Sequence, residues 1–194
     1  MKVGIIGGGA AGLMAAAALH EAAQGAEIFI IDKNDGWGKK VIISGGGRCN
    51  VTTGLADIKT VLTKYPRGSK FLSSALHCFS PQDVYQWFEA HGVPLKTEDD
   101  GRVFPVSNRG QDIVAVFENI FQAPQFKPRL KTAVLAVVKQ GQGFALKLKN
   151  KSEPLLVDKL ILTSGGQAYR QTGSTGDGYA IAMGLGHTIT QLAP

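Results

Sequence analysis

In the stretch GIIGGGAAG, Gly7, Gly9 and Gly12 fall in the order GxGxxG, and Asp32 follows Gly12 by twenty residues. These residue types at this spacing suit an adenine dinucleotide. Gly7 permits a tight turn, Gly9 lets the backbone approach a pyrophosphate, and Gly12 lets a helix pack closely on a strand. A helix opening at Ala10 and Ala11 then turns its unpaired N–H groups toward the phosphates. A carboxylate at 32 can accept hydrogen bonds from both ribose hydroxyls and disfavours a 2′-phosphate, which leaves NAD and FAD as candidates. The plain alternative is a glycine-rich turn that binds nothing. A second stretch, SGGGRCNVT from Ser44 to Thr52, puts three residues without a Cβ ahead of a fixed charge, a thiol and an amide. Such a run allows unusual dihedrals and lets the main chain meet a flat or bulky ligand. It is not a P-loop, since Arg48 and Cys49 stand where Lys and a hydroxyl residue belong, and Cys49 has no partner at metal-ligand spacing.

The elements around these residues must position them. Lys2–Ile6 and Glu27–Ile31 are apolar runs, and Ala10–Gln24 between them is an alanine-dense helix closed by Gly25, so the order is strand, helix, strand with parallel pairing. A loop rich in glycine and lysine is expected over 34–50. Helices follow near 55–65 and 69–79, then one with Ser80 as N-cap, Pro81 at its first position and Asp83 in its first turn, ending at Gly92. DGRVFPVSN reads as a turn and short strand, and 109–122 as a further helix. From Leu130 the pattern is β-rich, with Gly141 and Gly143 marking a hairpin. The last segment reads as a glycine turn, a helix over about 177–185 and a strand begun at His187, after which a longer chain would be expected to continue. The expected fold is therefore α/β: a Rossmann-like core from 1–50 and 130–194 with a parallel central sheet and a β-rich meander, interrupted by a largely helical segment at 51–129.

Composition bounds the function. With 194 residues, 44% of them hydrophobic and 19% charged, the chain is an ordinary globular one, and its 25 glycines cluster at 7–12, 45–47 and 165–178. The net charge of +6 is spread without basic runs, so it suits an anionic small ligand better than nucleic acid. Cys49 and Cys78 form no CxxC, in keeping with a reducing cytoplasm. The apolar N-terminus is broken by glycines and too short to span a bilayer. His20, His77, His91 and His187 show no metal or catalytic spacing, and no serine lies in GxSxG. No residue is singled out as catalytic, and no metal site is expected.

GIIGGGAAG, GKKVIISGGGRCNVT, DGRVFPVSNRGQDIV and LILTSGGQAYRQTGSTGDGYAIAMGLGHTI, taken in order, resemble four signatures of a bacterial family of FAD-binding flavoproteins. That family includes an aminoacetone oxidase and a reductase of dehydro bile acids, and its members are about twice as long as this chain. The resemblance implies FAD as cofactor, with NAD(P)H as an electron donor in full-length members. It implies that Ser44, Gly45, Gly46, Gly47, Arg48, Cys49 and Asn50 form the flavin-side loop. Arg48 would place charge near a phosphate or flavin edge, and Asn50 would offer its amide. Solvated surface charge is the alternative for Arg48, and quiet packing the alternative for Cys49. Lys33 and Lys40 join the cofactor contacts, as do Gly165 and Gly166 in the second glycine turn. Val134 is either an adenine contact through its main chain or plain strand core, and Asp177 either a ligand contact or an N-cap. Thr53, Ser164 and Arg170 depart from the usual asparagine, threonine and proline. The implied activity is hydride transfer through flavin N5, in the manner of an amine oxidase or an enoyl reductase. A non-catalytic dinucleotide-binding remnant and an NAD-dependent dehydrogenase domain are the alternatives, and self-association through an exposed sheet edge is expected.

Overall fold

The computed structural model describes residues 1–192. In chain order the elements are β1 (Lys2–Ile6), α1 (Ala10–Ala22), β2 (Glu27–Ile31), α2 (Lys39–Ile43), β3 (Thr52–Thr53), α3 (Ile58–Thr63), α4 (Ser69–Cys78), α5 (Pro81–Ala90), β4 (Leu95–Thr97), β5 (Arg102–Pro105), α6 (Gly110–Ile120), β6 (Phe126–Arg129), β7 (Val134–Gln140), β8 (Gly143–Leu148), β9 (Leu155–Val157), β10 (Lys159–Leu162) and α7 (Asp177–Gly184). The described residues divide into two compact units, one of residues 1–40 and 117–192, the other of residues 41–116.

In the first unit a four-stranded parallel sheet runs in the order β10-β1-β2-β6. Parallel strands covered on both faces read as continuous apolar runs, and Val3, Ile5, Ile28, Ile30 and Ile31 are all buried. The fold is Rossmann-like α/β, as the strand-helix-strand reading requires. An antiparallel meander, β7-β8-β9, packs beside it, its inner residues Val137, Leu146, Leu148 and Val157 sharing one core with Ile6, Phe29 and Ile181. Its outer face leaves Leu135, Val138 and Leu156 exposed. β6 stands in a segment expected to be helical. It carries Pro128, which an edge strand tolerates because the missing N–H faces away from the ladder.

The second unit is not purely helical, for it also holds a three-stranded antiparallel sheet, β3-β5-β4, with Phe104 at its centre fully buried. At the start of α5, Ser80 accepts from the Asp83 N–H while Asp83 accepts from the Ser80 N–H, a complete capping box. The strand expected at His187 is absent. Residues 187–192 pair with no strand, and the His187 N–H instead closes the end of α7 on the Ala182 carbonyl at 3.0 Å. β-branched residues at 188–190 favour a strand only where a sheet edge accepts them. Among the described residues no helix is long and apolar enough to cross a membrane.

Candidate functional site

The glycines of the first motif meet at the C-terminal ends of β1 and β2, where ligands bind in open parallel sheets. Each has a different steric reason. Gly7 has φ +109°, and a Cβ there would collide with the Thr163 carbonyl. A Cβ at Gly12 would collide with the Gly7 carbonyl oxygen and lie 2.8 Å from Thr163 Oγ1. Gly9 is the opposite case, because a Cβ there would meet nothing within 4 Å. The bare backbone at Gly9 therefore faces open space. Leu13 is the first residue whose N–H reaches back into α1, to the Gly9 carbonyl at 2.9 Å, so the amides of exposed Ala10 and Ala11 and of Gly12 precede the first intrahelical bond. No side chain caps this helix.

Asp32 closes the same edge. Its Oδ2 accepts from the Gly8 N–H at 2.6 Å and its Oδ1 from the Asn34 N–H at 2.8 Å. The carboxylate is thereby fixed against the glycine turn, and each oxygen keeps a lone pair for a further donor. Alongside runs the chain before β7: the Thr132 N–H donates to the Asp32 carbonyl at 2.9 Å and the Lys131 N–H to the Asn34 carbonyl at 2.7 Å. That brings Val134 to the same end of the unit. Its side chain packs against the meander core, and a bulge separates it from Ala136.

The second glycine turn also lies in this unit. Gly165 has φ +75°, with Ser174 Oγ 3.0 Å from where its Cβ would be, and Gly166 would bring a Cβ 3.1 Å from the Tyr179 hydroxyl. Gly176, not Asp177, is the N-cap of α7; its φ of +86° suits glycine. Asp177 is the first helical residue, and its carboxylate accepts from Lys33 Nζ at 2.5 Å and from Thr175 Oγ1 at 2.8 Å. The bond from Lys33, then that from Thr175, hold its pKa below the usual carboxylate value. Lys40 Nζ donates to the Ala168 carbonyl and to Ser174 Oγ, both at 2.9 Å.

In the second unit the run Ser44–Asn50 explains its own glycines. Gly45, Gly46 and Gly47 have φ of +56°, +69° and +89°, three successive left-handed residues, and Cys49 follows at +61°. Only glycine adopts such a series without strain. The turn folds onto its own start, with the Arg48 and Cys49 amides both donating to the Ser44 carbonyl. Arg48 is committed within its unit: Nη1 pairs with Glu98 Oε1 at 2.5 Å, and the guanidinium lies 3.8 Å from the Phe104 ring centroid. Asn50 Oδ1 accepts from the Val103 N–H at 3.2 Å. Cys49 is buried, and burial raises its thiol pKa, outweighing a bond from Ser44 that lowers it. It is thus a packed thiol and not an activated one.

Two residues of this region escape sequence reasoning. Trp37 is buried with its ring against Gly8, edge-on to Phe121 at 5.7 Å between centroids, while the Gly38 N–H donates to the Gly8 carbonyl at 2.8 Å. A single large apolar ring within NDGWGKK is the signal that could have found it, since it is the large apolar side chain of an otherwise polar, glycine-rich loop. Thr163 donates from its hydroxyl toward the Ile6 and Gly7 carbonyls, at 3.1 and 3.0 Å, and no local pattern announces that.

A family model described as the HI0933-like protein Rossmann domain matches residues 1–193. The chain is 30% identical over 193 residues to a 3-dehydro-bile acid delta(4,6)-reductase of Clostridium scindens, covering 100% of this chain and 46% of that protein. It is 31% identical over 185 residues to a ribosomal RNA dihydrouridine synthase of Escherichia coli, covering 95% and 44%. The chain thus spans less than half the length of these curated relatives. Among solved structures, the E. coli quinol fumarate reductase FrdA is similar with a TM-score of 0.71 at 19% identity, over 94% of this chain and 37% of that one. A flavocytochrome c3 fumarate reductase is similar with a TM-score of 0.59 at 20% identity, over 94% and 40%. At these identities the two structures support the fold alone.

Proposed function

The chain belongs to the HI0933-like Rossmann-domain family of FAD-binding flavoproteins, and from that premise we propose that it holds the adenosine diphosphate half of FAD on the edge formed by Gly7, Gly9, α1 and Asp32. The observation that carries this reading is the open backbone at Gly9 beside a carboxylate fixed by two amides. Gly9 and the amides of Ala10, Ala11 and Gly12 would hold the pyrophosphate, Asp32 the ribose, and the backbone near Val134 and Gly165–Gly166 the adenine side. The bound flavin would supply hydride transfer at N5. For the loop Ser44–Asn50, what favours a ligand role is backbone and not side chain. Gly46 and Gly47 leave open space where a Cβ would stand, whereas Arg48 and Asn50 hold the turn's shape through Glu98 and Val103.

The reaction we propose is reductive, a hydride passed to an unsaturated acceptor, because the two relatives are named as a delta(4,6)-reductase and a dihydrouridine synthase. An amine oxidase reaction has no such support among them. The test is a titration of FAD, followed by visible absorbance, into the wild-type chain and into Asp32→Asn, with NAD in parallel. Uptake of FAD by the wild type is expected, weakened about tenfold or more in Asp32→Asn for the loss of charge-assisted bonds to ribose. Uptake of NAD in place of FAD would support the dehydrogenase alternative, and uptake of neither would refute the proposal.

A further inference from the structure

Three side chains that follow β2 all reach one distant stretch of chain. Lys33 Nζ donates to Thr175 Oγ1 and to Asp177 Oδ2, both at 2.5 Å. Asn34 Nδ2 donates to the Thr172 carbonyl at 3.0 Å, and Lys40 Nζ binds the Ala168 carbonyl and Ser174 Oγ. The stretch is rooted at both ends beside the glycine turn, since Thr163 bonds to Gly7 and a Cβ at Gly178 would collide with Ser164 Oγ. Between the roots the backbone turns at Gly165, Gly173 and Gly176, all with positive φ, and Tyr169 also adopts φ +56° although it is 63% exposed. The stretch buries no large apolar side chain; Ser174 is its buried residue. Polar bonds at the surface, not packing, hold it down. Such segments open at low free energy.

Resting on the FAD reading above, we propose that residues 165–177 are a strap that closes on the bound dinucleotide. Lys33, Asn34 and Lys40 are the positioning residues that latch it, setting how fast the cofactor leaves. The placement follows from the roots and the latch: one lies at Gly7 and the other flanks Asp32, so the strap brackets the edge where the dinucleotide would lie. Lys33 and Lys40 therefore act through the strap and not through direct contact with phosphate.

The experiment is FAD release from the loaded chain, followed by flavin fluorescence after dilution, for wild type, Lys33→Met, Asp177→Asn and the exchanged pair Lys33→Asp with Asp177→Lys. An exposed pair of this kind supports about a two- to fivefold faster release in each single variant, with the melting midpoint of the cofactor-free chain unmoved. The exchanged pair recovers slow release, which a phosphate-binding lysine would not allow, while the unmoved melting midpoint sets aside a merely structural pair. Release at the wild-type rate in both single variants overturns the latch. So does an exchanged pair as fast as the singles, which would assign Lys33 to the cofactor itself. A wild-type chain that takes up no FAD refutes the cofactor reading before any variant is compared.

Discussion

Replacing Gly9 by alanine separates binding from folding more sharply than any other change at this edge. The backbone at Gly9 has φ −84° and ψ −172°, which alanine adopts freely, and its Cβ would meet no atom within 4 Å. Gly9 is the N-cap of α1, where alanine is poorer than glycine, so the cofactor-free chain should lose no more than about 0.5–1 kcal/mol. Binding is another matter. On the proposed reading the methyl group occupies the space through which the pyrophosphate reaches the amides of α1, and each charge-assisted bond lost is worth about 1.5–3 kcal/mol. One such bond corresponds to FAD affinity weaker by roughly 10- to 150-fold. Thermal unfolding of the cofactor-free protein measures the first quantity and an absorbance titration with FAD the second. Wild-type affinity in Gly9→Ala would refute the assignment of this backbone to the pyrophosphate. A large fall in cofactor-free stability would refute the steric reasoning itself.

Gly12→Ala should behave the other way round. Its Cβ collides with the Gly7 carbonyl, a backbone atom that cannot swing aside. Overpacking of this kind costs about 1–3 kcal/mol, lowering the melting midpoint by about 2–12 °C even without cofactor, and an unchanged midpoint would contradict the close approach of α1 to β1. Of the two free cysteines, exposed Cys78 should react quickly with a thiol reagent in the native protein while buried Cys49, its pKa raised, reacts only on unfolding. Two equally fast thiols would exclude the packed role. Lys33, with Thr175 and then Arg170 assisting, keeps Asp177 charged below the ordinary carboxylate range. A depressed carboxylate contributes above its unfolded pKa and fails only as pH falls through the folded one. Asp177→Asn should therefore release FAD faster than wild type by the same factor at about pH 5 as at about pH 8, and convergence of the two rates within that window would count against the pair.

What the sequence made legible follows from how local each cause is. β1, α1 and β2 begin where the pattern placed them because an apolar run, a glycine and an aspartate are themselves the local physics of a buried parallel strand and its turn. The capping box of α5 is legible for the same reason, all three signals lying within four residues. β6 is hidden by Pro128, which argues against any strand until the tertiary fold makes it an edge. β3 and β4, of two and three residues, are too short to show a period. The same division runs through the site. Glycines are readable because a missing Cβ records a steric demand at its own position, and all three glycine clusters do prove to be turns or close approaches. The demand can still be misread, since Gly45–Gly47 serve a left-handed turn that folds onto Ser44 whatever else they face. Side-chain pairing leaves no such record. Arg48 finds Glu98 fifty residues away, and Lys33 finds Asp177 across 144. A lysine bound for a phosphate and a lysine bound for a distant aspartate look alike along the chain. A steric demand is therefore read more safely from a motif than the partner of a charge is. In this protein Lys33, Lys40 and Arg48 hold loops in place, while the groups proposed to meet the ligand are the amides of α1 and the remaining lone pairs of Asp32.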